Sequence, residues 1–77
     1  MDINCFIEAF ADLFEETEAD AFSPETHFRD LAEWSSLIAL SVMSMIDDEY
    51  DVQLNASELR QANTIQELFE IVSSKKS

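Results

Sequence analysis

The sequence predicts an all-α fold: a small four-helix bundle of three main helices and one short one, with a long loop between the first two. Three observations predict it. Large apolar residues recur at three- and four-residue spacing in three separate stretches, represented by Phe6 and Phe10, Val42 and Ile46, and Leu68 and Val72. Helix-start chemistry precedes these stretches, most plainly the capping box Thr64-Ile65-Gln66-Glu67. The chain has 77 residues, enough for a single domain spanning 1–77 with a limited core and a narrow stability margin.

Ile3, Phe6, Ile7, Phe10, Leu13 and Phe14 form the apolar stripe of the first helix, with Glu8, Asp12, Glu15 and Glu16 on its other side and Asp2 able to cap its start. A stripe this apolar requires other helices to cover it. Residues 17–34 read as a long connection. Thr17, Ser23, Pro24 and Thr26 supply turn chemistry, and Phe22, Phe28, Leu31 and Trp34 are apolar enough to pin the loop to the core. Loops of this length in compact domains often serve function.

The second helix runs from about Ser36 to Tyr50, with Ser35 as its N-cap. Ala39, Val42, Met43, Ile46 and Tyr50 are expected to face the core. Leu37, Leu40, Ser41, Ser44, Asp47 and Asp48 share another face, apolar near the helix start and acidic near its end. A short third helix is expected at about Ala56 to Ala62, with Asn63 as its left-handed end because the chain contains no glycine. The last helix follows Thr64, with Ile65, Leu68, Phe69 and Val72 as its stripe. Lys75 and Lys76 complement the dipole at its end.

Seventeen acidic residues against four basic ones give a formal net charge of -13. Such a surface repels nucleic acid and anionic membranes and attracts partners with basic patches. Residues 1–20 carry no Lys or Arg, so they lack a basic targeting region, and no apolar run approaches the ~20 residues of a membrane span. A cytoplasmic monomer is expected. Cys5 is the only cysteine and reads as a small buried hydrophobe; His27, the only histidine, reads as a loop residue. A single histidine argues against a Ser-His-Asp triad, and a structural metal has no ligand set. The absence of glycine rules out Gly-rich phosphate loops. The same absence argues against reading Asp47-Asp48-Glu49-Tyr50-Asp51 as a calcium loop.

What remains is the junction Asp30-Leu31-Ala32-Glu33-Trp34-Ser35-Ser36-Leu37. A serine in the first turn of a helix lies near unpaired N–H groups and the positive end of the dipole, which suits a covalently attached phosphate. Equally, both serines can serve only to cap the helix.

These residues resemble the acyl carrier protein family, the phosphopantetheine-binding carrier domains. The resemblance is carried by Phe28, Asp30-Leu31, Trp34-Ser35-Ser36-Leu37, Met45-Ile46-Asp47-Asp48-Glu49-Tyr50-Asp51-Val52 and Thr64-Ile65, and it covers nearly the whole chain. It implies a four-helix bundle of the acyl carrier type that is not an enzyme. Ser36 would bear a 4′-phosphopantetheine arm, added from coenzyme A by a phosphopantetheinyl transferase, with acyl cargo held as a thioester. Leu37 and Leu40 would flank the arm. Asp47 and Asp48 would meet basic docking patches on acyl-loading, condensing and acyl-transfer enzymes of a fatty-acid, polyketide or related pathway. An aminoacyl or peptidyl carrier, and an armless acidic interaction module, are the alternatives. The chain departs from the family pattern at Ser35, where the usual residue is Asp. It departs also at Trp34, which lengthens the spacer by one, and at Ile38 and Ser41, where acidic residues often occur. Ser36 is preferred over Ser35 because Leu37 follows it and because its distance from Tyr50 matches the family's helix register.

Overall fold

The aromatic residues of the first stretch pack against one another along one face. In the computed structural model, which describes residues 2–76, helix α1 (Ile3–Ala11) buries Phe6 and Phe10 completely. Phe10 is the hub of the core: its ring lies 5.6 Å from that of Phe14, 6.1 Å from Phe22 and 5.6 Å from Phe28. The long loop is therefore anchored by its own aromatics, as expected. It contains two 3₁₀ turns, Ala19–Ala21 and Phe28–Asp30, and Trp34 packs against Phe28 at 5.1 Å.

Helix α2 (Ser36–Tyr50) matches its expected bounds. Its buried stripe is Val42, Met45 and Ile46, whereas Ala39, Met43 and Tyr50 are only half-buried. The expected core face is thus shifted toward Met45. Helices α1 and α4 pack against α2, while Ala39 and Met43 border a surface cleft. The helix ends at Asp51, which takes a left-handed conformation (φ 56°, ψ 41°) and donates its N–H to the Asp47 carbonyl at 3.0 Å.

Helix α3 (Ala56–Gln61) opens with a capping box in which Asn55 and Glu58 exchange hydrogen bonds. The left-handed end expected at Asn63 is not there. Asp51 is the only non-glycine residue with positive φ among the described residues, and α3 runs out through extended Ala62. Asn63 instead offers its side-chain oxygen to Arg29 and its N–H to Glu67. Helix α4 (Ile65–Lys76) begins with the capping box read from sequence: Thr64 Oγ1 accepts from the Glu67 N–H at 3.1 Å, and Glu67 accepts from the Thr64 N–H at 3.2 Å. Two more N–H groups of its first turn, on Ile65 and Gln66, reach the carbonyls of Thr26 and Pro24 in the long loop. The loop thus satisfies donors that a helix start leaves open.

Two expectations about α1 are corrected. Its stripe was read through Phe14, yet the α-helix stops at Ala11. Leu13 and Phe14 close tighter i→i−3 bonds to Phe10 and Ala11, and the next three N–H groups, of Glu15, Glu16 and Thr17, turn to the Glu33 carboxylate. Cys5, read as buried, is exposed, with a weak contact from its Sγ to Asp2 at 3.8 Å. Phe6 and Phe10 fill the buried stripe, and Cys5 falls to its side beside the N-cap. No helix among the described residues is long and apolar enough to cross a membrane.

Candidate functional site

The site grows from the start of α2. Ser35 has extended backbone and is the N-cap: its Oγ accepts from the Ile38 N–H at 3.3 Å. Ser36 is the first helical residue and is exposed, and its hydroxyl makes no hydrogen bond among the described residues. With Ile38 capped, the N–H groups of Ser36 and Leu37 are the open donors of this helix start. No acidic residue lies in the first turn of α2. The two neighbouring serines therefore do different work, one occupied in capping and the other free at the surface.

The approach to this helix start is fixed by Glu33. Its carboxylate accepts from the N–H groups of Glu15 (2.8 Å), Glu16 (3.0 Å) and Thr17 (2.9 Å) and from the Thr17 hydroxyl (2.8 Å). Desolvation pushes this carboxyl up, but the Glu15 N–H, the Thr17 hydroxyl and the Glu16 and Thr17 N–H groups together hold it below the ordinary 4.5. Glu33 thus ties the segment that follows α1 to the one entering α2. No local motif marks this role of Glu33, because its partners lie more than fifteen residues upstream.

Along α2, Leu37 and Leu40 are the exposed large hydrophobics of the described chain, 73% and 61% accessible. Ser44, Asp47 and Asp48 are also exposed, and Ser41 is half-buried. Their spacing continues the face that begins at Leu37, so the structure brings all four expected docking residues onto one stripe. Leu40 also borders a cleft of about 310 Å³ shared with Ser36, Trp34, Arg29 and Arg60. Both arginines escaped sequence reading, since nothing in their spacing marks them as neighbours.

A family model for a phosphopantetheine attachment site matches residues 6–72, nearly the whole described chain. The chain belongs to the phosphopantetheine-attachment family. No curated protein and no solved structure matches it. Domains of this family are carriers and not catalysts: 4′-phosphopantetheine is attached to them covalently, and they interact with phosphopantetheinyl transferases and with partner enzymes. The residues present in this carrier domain fit such a group. A free serine hydroxyl at a helix start, open N–H donors and no acid in the first turn suit a phosphodiester.

Proposed function

We propose that this carrier domain bears its arm on Ser36 and presents acyl cargo to enzymes of fatty-acid, polyketide or related biosynthesis. The observation that carries the reading is the division of labour between the two serines. Ser35 Oγ is engaged by Ile38, whereas Ser36 Oγ is exposed and unbonded at the first position of α2. When attached, the arm supplies a terminal thiol that holds cargo as a thioester. The chain's own residues do the rest. Ser36 fixes the attachment point, Leu37 and Leu40 offer apolar contact beside it, and Asp47 and Asp48 draw in basic patches from a distance. A net charge of -13 supports such partners and disfavours self-association, so the protein acts as a monomer. Strong acidity favours acyl over aminoacyl or peptidyl cargo.

The test is intact mass spectrometry after incubation with coenzyme A and a broad-specificity phosphopantetheinyl transferase. One phosphopantetheine is gained by the native protein and by Ser35→Ala, and none by Ser36→Ala. Gain by Ser36→Ala with loss in Ser35→Ala moves the site to Ser35. No gain by the folded native protein with several transferases replaces the carrier with an armless acidic interaction module.

A further inference from the structure

The chain's few cations are not scattered. Two of its four basic residues, and none of its seventeen acidic ones, line the cleft that contains Ser36. Three other clefts on the surface each include two or more acidic residues. In a molecule of net charge -13, a cleft free of carboxylates and flanked by two arginines is the natural seat for an anion.

Each arginine is placed by different means. Arg29 is the middle residue of the second 3₁₀ turn, lies 5.9 Å from the centre of the Phe28 ring and donates to the Asn63 side-chain oxygen. Phe28 is fully buried, so the guanidinium is held against a rigid wall. A guanidinium carries five N–H donors, and Asn63 accepts from one nitrogen only, so the remaining donors are available. Arg60 is exposed in the last turn of α3 and has no hydrogen-bond or ion-pair partner among the described residues. The apolar floor between them includes Trp34, Ala39 and Leu59.

We infer that Arg29 and Arg60 form a two-cation seat for the phosphodiester at the root of the arm, holding it in the cleft between α2 and α3. This rests on Ser36 being the attachment point. The phosphate would be bonded directly to Ser36 Oγ, so it is the one anionic group that must lie beside this cleft whatever cargo the arm carries. Planar guanidinium groups suit a phosphate better than ammonium groups do, since they offer paired N–H donors. Contact is strongest at low ionic strength, because Arg60 is exposed and screening shortens its reach.

The experiment compares the apo and holo forms of the 77-residue chain, with attachment first verified by intact mass. The side-chain Nε–Hε signals of Arg29 and Arg60 are followed by ¹H–¹⁵N NMR, and the diester by ³¹P NMR. Both arginine signals are expected to shift on attachment. The ³¹P signal of the native holo protein is expected to differ from that of the Arg60→Gln holo protein at low salt, and the difference to close in high salt. Arg60→Gln removes an exposed, unpaired group and leaves the Arg29 contacts to Phe28 and Asn63 in place, so the fold is retained. If the mass shows the arm in place and either arginine signal is unmoved, or the two ³¹P signals coincide at low salt, the seat is wrong while the carrier reading stands. If no arm attaches to Ser36, the carrier reading fails and takes the seat with it.

Discussion

At the scale of single residues, the entry to α2 is organised by two side chains, Ser35 and Glu33. Ser35 makes the cap through a hydroxyl at 3.3 Å from the Ile38 nitrogen. Ser35→Ala is expected to cost about 0.5–2 kcal/mol of stability, measured by denaturant melts, and to leave the mass gain at Ser36 intact. Glu33 holds three backbone N–H groups and the Thr17 hydroxyl. Its folded-state value is depressed, so its contribution to stability is present above the ordinary 4.5 and is lost as pH falls through the depressed value. Glu33→Gln is therefore expected to lower the Tm at neutral pH, and the gap from the native protein to close on acidification below 4.5. A gap that persists into strong acid would show that shape, and not charge, ties this corner. Glu58 acts in the same direction. Its bond to Lys75 and the Asn55 N–H, with the Lys75 charge, outweigh desolvation and hold it low.

At the scale of elements, local sequence specified where helices begin more reliably than where they end. The starts at Asp2, Ser35 and Thr64 are each made by a side chain that caps its own following turn, and all three were legible. The ends are less uniform. Helix α2 ends at Tyr50 as expected, with left-handed Asp51 as its cap and Lys76 donating to the Tyr50 carbonyl at 2.8 Å. Helix α1 ends earlier than expected: beyond it Glu33 captures the N–H groups of Glu15, Glu16 and Thr17, and that partner is not visible from the residues at the helix end. The same distinction runs through the site. Ser36, Leu37, Leu40, Asp47 and Asp48 lie on one helix and could be read from periodicity, whereas Arg29 and Arg60 meet only through folding. A carboxylate at the negative end of α2 is unfavourable for the helix dipole. Asp51→Asn keeps a residue tolerant of positive φ and removes that charge. It is expected to stabilise by about 0.3–1 kcal/mol, a Tm rise of roughly 1–8 °C in a domain of this size, read by thermal melts.

At the scale of the whole molecule, one aromatic network and one sign of charge oppose each other. Phe10 joins α1 to the long loop through Phe14, Phe22 and Phe28, so its loss is felt on both sides of the core. Phe10→Ala is expected to cost about 3–5 kcal/mol, against a total of roughly 4–12 kcal/mol for a chain of this length. Circular dichroism should show a protein close to its unfolding threshold at room temperature. Against this cohesion stands the repulsion of a -13 chain. Sodium chloride is expected to raise the Tm by screening that repulsion. A Tm indifferent to ionic strength would mean that the carboxylates are spaced widely enough to ignore one another.

The exposure of Cys5 has a practical consequence. The Phe6 ring sits 5.6 Å from that of Tyr50, so Cys5 lies near the C-terminal end of α2. Ser36 lies at the other end of this fifteen-residue helix, about 22 Å away along its axis. A donor fluorophore on Cys5 and an acceptor at the tip of an arm on Ser36 would make α2 a molecular ruler. Energy transfer between them would report, one molecule at a time, when the tip swings toward the far end of the helix and when it points into solvent.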